Sequence, residues 1–176
     1  MTVRVSAKLR WLLTGGSFVV LLDQLAKAEM LAGLRADPAT PIFSLLDGGL
    51  SFVPTQSFTL VAGLMAGWPW LGQVALVGLF AAGIAAVGSG FYRGLAPGES
   101  MNAFALGLVL GGVVGNLADV FFRGAAVEVA RFAGADAGLR FNFADGFIVL
   151  GIVILAVELL VAEGALRARL TRRRDE

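Results

Sequence analysis

The chain has 176 residues, 57% of them hydrophobic and only 15% charged, with a mean hydropathy of +0.81 and a net charge of +1. Soluble globular chains are roughly 45–50% apolar and about 25% charged, so this composition describes an integral membrane protein of one compact domain, and the near-neutral balance gives no argument for a nucleic-acid partner. The sequence holds no Cys and no His, which excludes disulfides, thiolate nucleophiles and a Ser-His-Asp triad, argues against a zinc site, and leaves carboxylates as the groups available for hydrolytic chemistry.

The first apolar run covers about residues 11–34 and follows Arg4, Lys8 and Arg10. A span needs about 20 residues at 1.5 Å rise each, so the run is long enough, although Asp23, Gln24, Lys27 and Glu29 occupy its second half. A cleavable signal peptide competes with this reading: the basic start, the core at 11–22 and the A-x-A of Ala26-Lys27-Ala28 fit one. Small uncharged residues do not follow the run, however, and its loss would leave three spans. A retained first helix with a polar outer half is the better reading.

Residues 35–69 contain Pro38, Pro41, Pro54 and Pro69. Apolar residues partly alternate between 50 and 60 (Leu50, Phe52; Phe58, Leu60), with Ser and Thr at several intervening positions, a pattern that predicts short strands. The segment reads as a small extracytoplasmic β-lobe lying on the membrane between helices one and two. The second span, about 70–92, carries Trp68 and Trp70 at one end and Tyr92 at the other, as interfacial aromatics. A turn containing Gly94, Pro97 and Gly98 leads to the third span, about 101–117. That span is dense in glycine, and Gly111-x-x-x-Gly115 permits close helix contact. A segment at about 118–146 holds the main site candidates. The fourth span, about 147–162, ends at Glu163 and an arginine-rich run at 167–174; Glu158 near its inner end is expected to snorkel. The expected architecture is all-α, with four transmembrane helices and the one β-lobe.

With four spans both termini share a side. Arg4, Lys8, Arg10, Arg93, Arg167, Arg169, Arg172, Arg173 and Arg174 fall there, against Arg35, Arg123, Arg131 and Arg140 on the other. Positive residues favour the cytoplasmic side, so both termini are expected inside. The end of helix one, the end of helix three and the start of helix four then meet at the outer face. Asp23, Asp119, Glu128 and Asp145 converge there.

Two pairs, Asn116/Asp119 and Asn142/Asp145, repeat one spacing: an Asn followed three residues later by an Asp. Positions three apart share a helix face, so each amide can bond a neighbouring carboxylate or a substrate carbonyl. Polar groups at membrane depth are functional candidates by default. Asn142 and Asp145 also suit a helix N-terminus, where capping alone would explain them. Asp119 lies at an expected helix C-terminus, where the dipole disfavours a carboxylate and capping explains nothing. Glu128 lies in an expected loop, with a surface ion pair to Arg131 as its plain alternative, worth about 0.3 kcal/mol. Asp23 and Lys27, four apart, read as a charge pair inside a span. Chemically, two carboxyl groups near one water can hydrolyse a peptide: the ionised one takes a proton from the water and the neutral one protonates the scissile carbonyl oxygen.

The sequence also resembles a known family. GGVVGNLAD at 111–119, Arg-Gly at 123–124 and FNFAD at 141–145 are similar, in order, to the two signature motifs of lipoprotein signal peptidase, also called signal peptidase II, and LLDQLAK at 21–27 is similar to its first-helix motif. The resemblance covers almost the whole chain. It implies a multi-pass aspartic endopeptidase of the bacterial cytoplasmic (inner) membrane that needs no cofactor. Its implied partners are membrane lipid and the signal peptide of diacylglyceryl-modified prolipoproteins, cut just before the lipidated Cys. By position Asp145 matches the second catalytic Asp, and Glu128 stands where the family's R-G-x-V-V-D-F segment has the first. Asp119, Asn116, Asn142 and Asp23 match supporting polar positions. Val120 replaces the Arg of the family's GNxxDR motif. The family's Asn-x-Gly-Ala-Ala-Phe stretch, which helps hold substrate, is not recognisable, and residues 53–57 are its nearest alignment.

Two other readings compete. A catalytically silent paralogue would keep the fold to bind lipid or a membrane-protein partner, since Glu adds a methylene to the family's Asp and a misplacement of ~1 Å can cost ~10²-fold in rate. A proton-coupled transporter using Asp23 and Asp119 would need polar residues along a whole path, and the inner halves of these helices offer almost none.

Overall fold

Long apolar runs give long helices. The structure, a computed structural model, describes residues 6–36, 43–45, 49–52, 55–57, 69–123, 126–132 and 139–174. Helix α1 covers Ala7–Ala36, α2 Trp70–Gly94, α3 Ser100–Arg123 and α4 Phe143–Arg174. The shortest has 24 residues, about 36 Å at 1.5 Å per residue. By length and hydropathy, α3 and the Phe143–Gly164 part of α4 qualify as membrane spans among the described residues. Their outward faces stay apolar, with Met101, Val114, Val153 and Leu159 exposed, as a hydrocarbon surround requires.

The helices outrun the apolar runs from which they were read. Helix α3 continues past Leu117 to Arg123, and α4 starts at Phe143 and continues to Arg174. At the α3 end and the α4 start the added turns carry polar residues that find partners on neighbouring helices, so the backbone need not stop where apolarity stops.

Helix α3 is central and packs along both α1 and α4. Glycine makes this approach possible. A Cβ at Gly111 would lie 2.6 Å from the Gly16 carbonyl oxygen, and one at Gly15 would lie 2.6 Å from that of Phe104. One at Gly107 would strike the Leu12 carbonyl oxygen. Toward α4, a Cβ at Gly112 would sit 2.6 Å from the Ala144 carbonyl oxygen, and one at Gly151 2.7 Å from that of Ala105. The close contact expected at Gly111 is therefore backbone on backbone. Gly115 differs: its Cβ would meet the Asp23 carboxylate at 2.9 Å.

At the opposite end of α1, Lys8 donates to the carbonyl oxygens of Tyr92 at 3.2 Å and Leu95 at 3.0 Å, and its ammonium lies 4.5 Å from the Tyr92 ring centroid. It thereby caps orphan carbonyls at the end of α2.

Six short strands complete the described residues: β1 (Phe43–Leu45), β2 (Leu50–Phe52), β3 (Thr55–Ser57), β4 (Ala126–Glu128), β5 (Ala130–Phe132) and β6 (Leu139–Phe141). They form an antiparallel sheet in the order β1-β2-β5-β6 and a separate β3-β4 pair. Leu50 lies opposite Phe132, Ala130 opposite Phe141, and Thr55 opposite Glu128. The strands expected within 35–69 are present at β1–β3, while Phe58 and Leu60 fall outside the described residues. The segment after α3, expected as a loop around Glu128, instead supplies β4, β5 and β6. Strands of three residues show no periodicity in sequence, yet pairing them satisfies backbone polar groups that a loop would leave exposed.

Candidate active site

The start of α4 is fixed by its own first residues. Asn142 precedes the helix, and its side-chain Oδ1 accepts the Asp145 backbone N–H at 2.9 Å. In return Asp145 Oδ2 accepts the Asn142 backbone N–H at 3.1 Å. This is a reciprocal capping box, which satisfies helix-end donors in pairs. The Ala144 N–H between them is capped from another helix, by Asp23 Oδ1 of α1 at 3.0 Å.

Capping does not exhaust Asp145. Its other oxygen, Oδ1, accepts Asn116 Nδ2 of α3 at 2.8 Å. Asn116 Oδ1 in turn accepts Asn142 Nδ2 at 2.9 Å. The bonds run in one direction around a ring, from the Asp145 N–H to Asn142, from Asn142 to Asn116, and from Asn116 back to the Asp145 carboxylate. Because an amide has distinct donor and acceptor ends, this ring holds both Asn side chains in a single orientation. The two motifs read from sequence thus interlock directly.

A charge cluster lies against the ring. Lys27 Nζ lies 2.6 Å from Asp23 Oδ2 and 2.6 Å from Asp119 Oδ2, and the three side chains are 0% exposed. The expected Asp23–Lys27 pair is therefore real but incomplete without Asp119. Arg123 pairs with Asp119 from the partly exposed side and donates to Gln24 Oε1 at 2.8 Å. Gln24 Nε2 lies 3.2 Å from Asp119 Oδ1 and 3.2 Å from the Gly115 carbonyl oxygen. Two carboxylates meet two cations, so the cluster is balanced. Burial of ions is tolerated only with such full pairing. Asp119 lies one turn inside α3, and these cations offset the unfavourable dipole there.

Glu128 ends β4 and is half-buried. Bonds to both of its neighbours hold the strand in place. The Val127 N–H donates to Asp119 Oδ2 at 3.3 Å, and the Val127 carbonyl accepts Asn142 Nδ2 at 3.4 Å. The Val129 N–H donates to the Phe141 carbonyl at 3.1 Å. Backbone on either side of Glu128 is thus tied to the residues that open α4. Beside Asn142 lies an apolar cavity of about 300 Å³, lined by Phe52, Val129, Phe141, Phe143 and Phe147. Among the described residues no group of three or more His, Cys, Asp or Glu side chains is placed to hold a metal ion.

The family described as signal peptidase (SPase) II matches residues 17–161, a stretch containing the entire network. The chain belongs to the signal peptidase II family. It is 31% identical to the lipoprotein signal peptidase of Syntrophomonas wolfei over 148 residues, covering 83% of this chain and 91% of the relative. The corresponding protein of Rhodopseudomonas palustris is 31% identical over 154 residues, covering 84% and 90%. That of Pseudomonas aeruginosa is 33% identical over 145 residues, covering 80% and 82%. In fold the chain is similar to a solved bacterial membrane enzyme, with a TM-score of 0.63 at 20% identity over 85% of this chain and 92% of the other.

Within this signal peptidase II chain, the structure gathers Asp23, Asn116, Asp119, Asn142 and Asp145 into one bonded network and ties the Glu128 strand to it. Sequence reasoning paired Lys27 with Asp23 alone and missed Gln24 and Arg123 as members of the network. Gln24 bridges α1 to α3, Lys27 reaches Asp119 as well as Asp23, and Arg123 supplies a guanidinium to Asp119 although Val120 has replaced the motif's Arg. For Arg123 the signal was present in its i, i+4 spacing from Asp119, which places both on one helix face.

Proposed function

We propose that the protein is a membrane aspartic endopeptidase that removes signal peptides from lipidated prolipoproteins, with Asp145 and Glu128 as its catalytic carboxyl pair. The observation that carries this reading is the double fixation of Asp145, whose two oxygens are held by Asn116 and by the Asn142 backbone while the Glu128 strand is tied to the same turn. A water between the two carboxyls attacks the scissile carbonyl carbon. The ionised carboxyl takes the proton from the water, and the neutral one protonates the carbonyl oxygen, giving a tetrahedral diol. A proton then passes to the amide nitrogen, the C–N bond breaks, and the signal peptide leaves as a new carboxyl terminus. The other product is the free amino group of the lipidated Cys. The aromatic-lined cavity beside Asn142 offers an apolar surface to the same substrate.

The proposed setting is the bacterial cytoplasmic membrane, crossed four times, with both termini inside. Helices of 24 to 32 residues support four crossings, and the bias of positive residues supports the orientation. A reporter fused after Glu176 is expected to be active in the cytoplasm and one inserted near Gly48 outside; the reverse pattern would contradict the topology. The activity is tested with purified protein in detergent and a diacylglyceryl-modified prolipoprotein. Release of the signal peptide with Cys at the new N-terminus is expected. No release under any detergent or lipid condition would refute the peptidase reading in favour of a silent relative.

A further inference from the structure

Lys27 has three N–H groups and three acceptors, and it is 0% exposed. Asp23 Oδ2 and Asp119 Oδ2 each lie 2.6 Å from Nζ, and Asn116 Oδ1 lies at 3.3 Å. These three acceptors match in number the three N–H donors of the ammonium.

Each acceptor passes the constraint one step further. Asn116 donates to the Asp145 carboxylate. Asp23 caps the Ala144 N–H, one residue before Asp145. Asp119 holds the Val127 N–H, one residue before Glu128. One buried ammonium is therefore a single side chain away from the Asp145 carboxylate and from the backbone beside Glu128, and it is the point where these two supports meet. A tetrahedral ammonium suits three diverging acceptors on α1 and α3; a planar guanidinium fork does not.

We propose that Lys27 is a positioning residue that sets the placement of Asp145 relative to Glu128, acting through Asn116, Asp23 and Asp119. This rests on the reading of Asp145 and Glu128 as the catalytic pair. It assigns to Lys27 a role beyond neutralising buried charge: each of its bonds ends at a group that fixes one arm of the pair.

The test uses the full chain in detergent, as Lys27→Met and as the double variant Lys27→Met/Asp23→Asn. The double variant removes one buried charge of each sign, leaves Asp119 paired with Arg123, and serves if the single variant does not fold. Amide hydrogen exchange is measured at Val127, with Gly107 and Gly111 in the helix seam as internal controls. Exchange at Val127 should rise about tenfold, the worth of one hydrogen bond, while the controls stay at wild-type rates. On lipidated prolipoprotein, kcat should fall by about 10²-fold, as misplacement of a reacting group costs, with KM essentially unchanged. Unchanged exchange at Val127, equal acceleration at all three amides, or loss of KM rather than kcat would each overturn the proposal; equal acceleration would make Lys27 a general stabiliser. Exchange requires no substrate, so a wild type that fails to cleave contradicts the peptidase reading while the exchange result still decides whether Lys27 holds the Val127 arm.

Discussion

Helices α1 and α3 touch from Leu12 to Lys27, and the two halves of this contact are made from opposite materials. In one half, Gly15 and Gly16 face Phe104, Gly107 and Gly111, and backbone meets backbone with no room for a Cβ. In the other half, Asp23, Gln24 and Lys27 face Asn116, Asp119 and Arg123, and charged side chains fill the gap. The glycine half is specified by shape and tolerates no added atoms. The polar half is specified by bonding and tolerates no lost ones. A close, rigid approach in the first half is what allows side chains such as Lys27 and Asp119 to reach one another in the second. Gly115 marks the boundary, since its missing Cβ leaves space for a carboxylate rather than for backbone.

This contrast can be broken from either side. The largest stability loss is expected for Asp119→Ala, which strips a carboxylate from Lys27, Arg123 and the Val127 N–H together. Breaking a buried ion pair costs about 3–5 kcal/mol, measurable as a fall in thermal or denaturant stability. A cost no larger than that of a surface substitution would show that the cluster is not holding the fold. Gly111→Leu attacks the other half by overpacking against Gly16, at about 1–3 kcal/mol; a wild-type melting curve would contradict backbone contact there. Gly115→Ala probes the boundary between the two halves. Its methyl group pushes on the Asp23 carboxylate, so stability should fall by about 1 kcal/mol, the low end of the cost of overpacking, while cleavage falls by more than tenfold. A stability loss matching that of Gly111→Leu would place Gly115 in the glycine half after all. The smallest effect is expected at the far end of α1, where Lys8→Met removes hydrogen bonds at a solvent-reached helix end, worth about 0.5–1 kcal/mol. Any loss of cleavage in the folded Lys8→Met protein would imply coupling along the whole helix.

The α3 side of the glycine half was legible, because Gly-x-x-x-Gly is a local pattern with a direct steric meaning, whereas Gly15 and Gly16 of α1 carried no such signal. Both Asn/Asp pairs were legible too, and their convergence followed from the order of spans. The way they join was not. No spacing rule connects Asn116 to Asn142, whose bond spans 26 residues; only the packing of α3 on α4 brings them together. Asp145 was read as either cap or site, and the geometry makes it both, one oxygen serving each purpose. The expected loop around Glu128 proved to be strands because three-residue segments carry too little pattern for sequence reading, and β4 and β5 also pair with β3 and β2, some 70 to 80 residues away. The loss of an Arg at position 120 looked like damage to a motif. A single helical turn places Arg123 on the same carboxylate, so the charge balance of the cluster survives the substitution.

The polar half is proposed to hold Asp145 and Glu128 as a working pair. This role is tested most directly by the initial rate of signal-peptide release from a diacylglyceryl-modified prolipoprotein, at matched concentrations of folded wild type, Asp145→Asn, Glu128→Gln and Glu128→Asp. The folded fraction is checked first, because Asp145 also caps α4. Cleavage is expected from the wild type and none from Asp145→Asn or Glu128→Gln, since an amide cannot exchange the required proton. Glu128→Asp should retain or raise the rate by restoring the family's shorter side chain. Robust cleavage by folded Asp145→Asn would contradict the carboxyl-pair mechanism outright.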